Sequence, residues 1–408
     1  MTEAPTRVTF REVFAVTEFR ALWFAELFSV AGDQLARVAL SVMVFTATGS
    51  ATLTGLTYAL TFAPSLIGGV LLTGIADRVP RRAVLVAVDT VRAGLILAVA
   101  IPGLPFWTLC VLVGLVSLLQ PVFKAAQLAM LPDVLSGEQY PVGMAIRQMT
   151  IQGAQLAGFA GGGLLIAALT PSTALVLDAA TFVASALLVR FGVRARASAR
   201  SSSGAAPPRW TAAFGLLFAD RGVRLLVLFT WIVVATTVYE GLAAPYVHEL
   251  GAGTAGIGLL LAGDPLGGVI GAFLYGRFVP ARLRHRLIGP LAVLCAALLC
   301  LCALRPGLAL SFLLCVVSGG LGTVVVMQAT IGFTVAVPDA SRGQVLGLSN
   351  TGLNTIAGVT PLLGGIIADR IGAAATIAWF GLVCAILAIP LAISWTRTLR
   401  ADPARWTQ

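Results

Sequence analysis

Charge is scarce in this chain and lysine is almost absent. Only 11% of the 408 residues are Asp, Glu, Lys or Arg, and Lys124 is the single lysine. A nucleotide-driven pump needs a phosphate-cradling loop ending in Gly-Lys-Ser or Gly-Lys-Thr, whereas Lys124 is followed by Ala125. No polar stretch is long enough to fold into a nucleotide-binding domain, which leaves an ion gradient or the solute's own gradient as the energy source. The only histidines, His248 and His285, lack metal-ligand spacing, and no nucleophile motif accompanies them. The sequence therefore predicts no enzyme, no metal centre and no cofactor. Six cysteines (Cys110, Cys295, Cys300, Cys302, Cys315, Cys384) all fall in apolar runs. There cysteine behaves as a small apolar residue, and neither disulfides nor a metal cluster is expected. The polar stretch Met1 to Arg20 lacks the short apolar run and small-residue cleavage site of a removable signal.

What abounds is apolar surface. Hydrophobic residues make up 58% of the chain and the mean hydropathy is +0.95, far from the composition of soluble domains. A helix needs about 20 mainly apolar residues to cross the roughly 30 Å hydrocarbon core. Such windows recur from Phe19 to Trp395 and leave room for about twelve spans. They fall near 20–46, 52–76, 83–101, 106–130, 142–168, 174–192, 223–247, 255–278, 287–304, 308–336, 344–367 and 374–395. Barrel strands would alternate over about ten residues, and these runs do not. The expected fold is an all-α integral membrane protein of two pseudo-symmetric six-helix bundles.

The formal net charge of +10 invites a nucleic-acid partner until the basic residues are placed. With both termini cytoplasmic, 21 of the 27 basic residues lie on the cytoplasmic side, among them seven arginines between Arg190 and Arg224. Arg305 and Arg370 fall on the opposite face, and Arg37, Arg92, Lys124 and Arg147 within or at the edge of spans. This is the positive-inside pattern, so the basic excess reads as topology and no nucleic acid is expected. The predicted setting is the cell membrane, multi-pass, with the bilayer itself as partner and both termini in the cytoplasm.

The segment 194–209, RARASARSSSGAAPPR, has the composition of a flexible linker. It divides the chain into a bundle at 1–192, a linker at 193–222, a second bundle at 223–395 and a tail at 396–408. The halves carry a faint repeat: Gly68, Val79, Pro80 and Arg82 recur as Gly268, Val279, Pro280 and Arg282, and Pro132-Asp133 as Pro338-Asp339. Parallel repeats of this kind create a substrate site at their interface.

The most informative span is the first. Glu26, Ser29, Asp33 and Arg37 follow helical spacing and form a polar stripe. Placing Asp33 near mid-membrane costs about 2.5–3.5 kcal/mol on insertion scales, so such a group faces the bundle interior and is a functional candidate by default. Arg37, one turn on, is positioned to hold Asp33 ionised or to compete with substrate for it; a purely structural ion pair fits the same spacing. Glu240 in span seven and Asp264 in span eight are the second half's candidates for a group that titrates near neutrality, as proton coupling requires. Glu26, Gln120, Lys124, Gln152, Gln155, Gln328, Asn350 and Asn354 are candidate cavity-lining groups, with helix bridging as the other use of such residues. Gly158, Gly161, Gly162 and Gly163 allow close helix approach.

At the turn between spans two and three the sequence Gly74-Ile-Ala-Asp77-Arg78-Val-Pro-Arg81-Arg82 resembles the cytoplasmic signature of the major facilitator superfamily. Thr73 stands where a leading Gly is usual, and Pro80 where a later Gly is. Gly32-Asp33, Thr48-Gly49-Ser50-Ala51, Asp89-Thr-Val-Arg92 and Leu131-Pro132-Asp133 look like the drug:proton antiporter branch that contains macrolide-efflux and enterobactin-exporter proteins. Gly158-Phe159-Ala-Gly161-Gly162-Gly163 is similar to its span-five signature, with Phe159 at the usual proline position. The resemblance implies alternating access by a monomer, with Asp77, Arg78, Arg81, Arg82, Asp89, Arg92, Gly158, Gly162 and Gly163 as gating residues. It further implies proton-driven export of a small amphipathic molecule, drug or siderophore-like, with Asp33 as the coupling group and Arg37 tuning it. A metabolite uniporter or importer is the other transport reading, and a transport-dead sensor or scaffold the reading from another class.

Overall fold

Inside hydrocarbon each segment must satisfy its own backbone hydrogen bonds, and this chain does so with helices alone. The computed structural model describes residues 8–72, 79–196, 220–337 and 339–402, and among them all regular structure is helical. Ten helices are long and apolar enough to cross a membrane. The other two expected spans are present for a different balance of forces. The second is broken into α3 (Ala51–Leu60) and α4 (Ala63–Leu71), with Thr61 and Phe62 between them. The third, α5 (Arg81–Val99), carries Arg81, Arg82, Asp89 and Arg92. The chain is an all-α integral membrane protein.

Two compact units form, one from Met1–Ala39 with Ala63–Ser203 and one from Leu40–Phe62 with Gly204–Gln408. The first contains α1 (Phe10–Ala15), the start of α2 (Thr17–Thr48), α4, α5, α6 (Phe106–Val134), α7 (Gln139–Ala168) and α8 (Pro171–Gly192). Leu22, Leu85, Val122 and Phe123 belong to one buried apolar cluster, and Val13, Phe19, Leu131 and Ile146 to a second. In the second unit Phe229, Ile288, Phe333 and Trp395 are fully or almost fully buried together. The Trp395 indole donates to the His285 carbonyl at 2.7 Å, which satisfies its polar end. The outer surfaces are as apolar as the cores: Phe191 is 80% exposed, Leu304 76% and Trp107 70%, as lipid contact requires.

The expected continuous span at 223–247 is corrected to three pieces: α9 (Arg221–Ala235), α10 (Val238–Gly241) and α11 (Ala243–Glu249). Thr236 and Thr237 donate their hydroxyls to the carbonyls of Val233 and Val234. Such bonds offer the backbone an alternative to the helical ladder, and Pro245 removes a further donor. The remaining helices are α12 (Ala255–Phe278), α13 (Ala281–Leu298) with a 3-10 extension Leu299–Leu304, α14 (Leu308–Ala336), α15 (Asp339–Ile371) and α16 (Ala373–Ala401).

Within the second unit α3 lies against α15 because glycines remove the side chains between them. A Cβ on Gly55 would run into the Pro361 carbonyl, and one on Gly365 into that of Ala51. The start of α3 is also tied down. Gly49 takes φ +63°, Ser50 caps the helix, and the Asp369 carboxylate accepts from Ser50 Oγ at 2.9 Å and from the amides of Ala51 and Thr52 at 2.7 and 3.1 Å. A carboxylate on orphan N-terminal amides is worth about 1 kcal/mol. Asp369→Ala is accordingly expected to destabilise the second unit by about 1 kcal/mol, read as a lowered unfolding temperature in detergent, with Asp369→Asn intermediate.

Candidate functional site

Each unit has its own polar centre. In the first unit it is built round Arg92, 1% exposed on α5. Its Nη2 donates to Asp33 Oδ1 at 2.7 Å, Nη1 reaches Ser29 Oγ at 3.4 Å, and Nη1 stands 3.9 Å from Asp89 Oδ1. The guanidinium lies 4.1 Å from the centroid of the Phe182 ring, a cation–π contact in dry surroundings. Asp89, fully buried, accepts from Ser185 Oγ at 2.5 Å. Gln120 donates to Asp33 Oδ2 at 3.4 Å. Asp178 on α8 completes the set: it is fully buried, accepts weakly from Thr181 Oγ1 at 3.4 Å, and its Oδ2 has no hydrogen-bond partner. Two carboxyls, Asp33 and Asp89, thus lie within 4 Å of one buried guanidinium, and Asp178 is within electrostatic reach of Asp33 and Arg92. Only Asp33 is open, with 17% of its side chain accessible.

Local sequence explains this convergence. Gly32 leaves the space that Asp178 and Thr181 fill, since any Cβ there would collide with both side chains. The pair Gly32-Asp33 therefore admits one acid while presenting another. Asp89 and Arg92 are three residues apart on α5 and so share a face.

Asp33 also has a partner from another helix. The ion pair on Asp33 comes from Arg92, a span away, while Arg37 donates to Gln34 Oε1 at 3.1 Å. Lys124 is exposed and within electrostatic reach of Asp33, Arg37, Arg92 and Arg147. Glu26, 5% exposed, pairs with Arg147 at 2.7 Å. Gln152 and Gln155 are half-buried on α7.

Gly158, Gly162 and Gly163 are buried on α7. A Cβ on Gly158 would sit 2.6 Å from the Ala31 carbonyl, and one on Gly162 3.3 Å from Leu35 Cα, so the α2–α7 contact is backbone to backbone. Gly158→Ala is expected to cost about 1–3 kcal/mol through overpacking, checked by unfolding temperature against Gly161→Ala, where a Cβ meets nothing within 4 Å. Of the other gating residues, Arg81 pairs with Asp133 at 2.6 Å and donates to the Ala129 carbonyl at 2.7 Å, and Arg82 donates to the Arg190 carbonyl. Asp77 and Arg78 lie outside the described residues.

In the second unit the centre forms where span seven is broken. Tyr58 donates to Glu240 Oε2 at 2.5 Å and Tyr239 to Asp264 Oδ1 at 3.2 Å. Gly319 leaves room for Asp264, whose Oδ1 would lie 2.6 Å from a Cβ there. Gln328 is 2% exposed on α14, whereas Asn350 and Asn354 are exposed on α15, with Asn354 Nδ2 donating to the Asn350 carbonyl at 3.0 Å. Discontinuous helices with polar groups at the break are a recurrent way of building solute sites in membranes.

The sequence reading missed Asp178, Tyr58 and Tyr239. Asp178 gave the same signal as Asp33, an acid in an otherwise apolar span. The tyrosines gave none, since their partners are set by packing.

The family model described as Major Facilitator Superfamily matches residues 22–331 and 234–407. Among solved structures, a bacterial homologue of the human lysosomal transporter Spinster, inward-facing and occupied, is similar at TM-score 0.74 and 14% identity, covering 95% of this chain and 97% of that one. The nucleoside transporter NupG is similar at TM-score 0.70 and 14% identity, covering 93% and 98%. A bacterial homologue of the iron transporter ferroportin in an inward-facing state is similar at TM-score 0.69 and 15% identity, covering 95% and 99%. At these identities the likeness is one of fold. No curated protein sequence matches the chain.

Proposed function

We infer that this chain, which belongs to the Major Facilitator Superfamily, is a proton-coupled exporter of a small amphipathic molecule. Membership makes it a secondary transporter acting on a small molecule within the membrane. Export, coupling to protons and the solute class are our reading. The observation that carries it is the pairing of Asp33 and Asp89 with the buried guanidinium of Arg92, with the buried Asp178 filling the space beside Gly32. Burying charge without compensation is expensive, so acids gathered in one buried polar centre form a place where a proton is taken up and given back. Asp33 is the member open to the outside of the cluster, and it is the coupling residue in this reading.

The cycle follows from charge compensation. Protonation of Asp33 removes the charge that holds Arg92 Nη2, and the guanidinium is then drawn toward Asp89, already within 3.9 Å. Since α2, α5 and α8 all contribute to the cluster, a change of partner there is transmitted to three spans at once. The working unit is a monomer in the cell membrane with cytoplasmic termini, the two six-span bundles joined through 193–222.

Accumulation of amphipathic drugs and siderophores in everted vesicles, or in proteoliposomes with an imposed pH gradient, tests this. Gradient-dependent accumulation, collapsed by a protonophore, is the expected result. Equilibration that ignores the gradient would mean uniport, and uptake in the opposite sense an importer; either would overturn the reading.

A further inference from the structure

Between Pro265 and Pro338 the sequence contains no acidic residue, yet it contains Arg277, Arg282, Arg284 and Arg286. One of these is used internally. Arg284 Nε donates to the Val279 carbonyl at 3.1 Å and Nη2 to that of Gly276 at 2.9 Å, closing the end of α12. Arg277, Arg282 and Arg286 are exposed, and among the described residues no carboxylate pairs with them. Three unneutralised guanidinium groups at the end of a membrane span call for anions from outside the protein.

A groove runs from that end along the outer face of the second unit. Its volume is about 450 Å³, and its walls include Ile270, Leu274, Phe278, Leu291, Val317 and Val324. Gly271 and Gly320 create it by drawing α12 and α14 together, since a Cβ on Gly271 would lie 2.7 Å from the Gly320 backbone. Tyr275 joins groove to arginines: it lines the groove, and its hydroxyl donates to the Arg284 carbonyl at 2.7 Å. The open side is flanked by Phe273 and Phe278, 67% and 69% exposed, which in a bilayer face acyl chains. The volume falls within the roughly 300–1,000 Å³ of ligand pockets.

We propose that this groove binds an anionic phospholipid, with an acyl chain between α12, α13 and α14 and the phosphate on Arg277, Arg282 and Arg286. The surface has two parts, a dry trench and a cationic end, and the partner must match both. Guanidinium groups bind phosphate through paired N–H donors. A zwitterionic lipid brings a cation that three arginines oppose, whereas an anionic one brings only the charge they lack. Each arginine near the membrane surface contributes roughly a fivefold preference for the anionic lipid. The proposal does not depend on which solute the chain carries.

The full chain, purified in detergent, would be titrated with phosphatidylglycerol, with phosphatidylcholine, and with glycerol phosphate lacking acyl chains, following bound lipid by native mass spectrometry and the unfolding temperature. Phosphatidylglycerol is expected to be retained preferentially and to raise the unfolding temperature. Arg277→Gln should lower its affinity roughly fivefold, and replacing all three arginines by Gln should remove the preference for it. Leu274→Trp, which fills the groove from its exposed side, should displace both lipids alike. Equal retention of the two lipids by the unaltered chain would overturn the proposal, as would a preference that survives the triple replacement. A shift with glycerol phosphate equal to that with phosphatidylglycerol would overturn it too, leaving a bare anion site. If the triple or Leu274→Trp variant does not fold, the single Arg277→Gln titration decides, an unchanged affinity counting against the proposal.

Discussion

Asp33→Asn is expected to reduce pH-gradient-driven accumulation of the solute to the passive background. Proton transfer by a positioned side chain is commonly worth about 10²-fold or more in rate, and a loss of that size separates coupling from a minor tuning role. The amide keeps the size of the carboxyl and still accepts from Arg92, so the 2.7 Å contact survives as a neutral hydrogen bond while the titrating group is gone. Arg92 also remains within 3.9 Å of Asp89, which preserves a charge for it. Two readouts together make the result specific. Solute binding at equilibrium, followed by intrinsic tryptophan fluorescence, should persist, while accumulation driven by the gradient should vanish. Accumulation retained by the variant would exclude Asp33 and direct attention to Glu240 and Asp264, the carboxyls held by Tyr58 and Tyr239. Loss of both binding and accumulation would make Asp33 a solute contact.

Spans are legible in the sequence because hydropathy is local, and membrane solvation enforces it residue by residue. All twelve expected spans have a helical counterpart, although α5 carries four charged side chains and span two is interrupted. Span seven was read as continuous because averaging over about 20 residues conceals two threonines, a glycine and a proline, each tolerable alone. Spacing within one helix also suggested Arg37 for Asp33. What it could not express is that Arg92, 59 positions away, enters the same space from α5. Tyr58 and Glu240 are 182 positions apart, and nothing in either neighbourhood announces the other. Asp178 is a different kind of omission, since one acid among apolar neighbours was visible. Its value lies in company: it fills the space beside Gly32 and stands within electrostatic reach of Asp33 and Arg92, which turns an ion pair into a larger buried cluster.

Arg92→Met should be among the most damaging single substitutions in the first unit. The side chain is 1% exposed, so its volume matters as much as its charge, and Met retains most of that volume and the contact with Phe182. What disappears is the cation. Removing one partner of a buried ion pair costs about 3–5 kcal/mol, because the remaining charge is left uncompensated, and here Asp33 and Asp89 both lose their partner. Native membrane proteins of this size tolerate few losses of that magnitude, so a large fall in unfolding temperature and in folded yield is expected. Charge compensation predicts a rescue that packing does not. Asp33→Asn combined with Arg92→Met deletes both ends of the 2.7 Å pair and should recover a large part of the stability lost by Arg92→Met alone, and adding Asp89→Asn should recover more. If the double variant is as unstable as the single one, Arg92 matters through its packing on Phe182. The three carboxyls would then be independent buried groups, and a proton exchanged within the cluster would have no guanidinium to release.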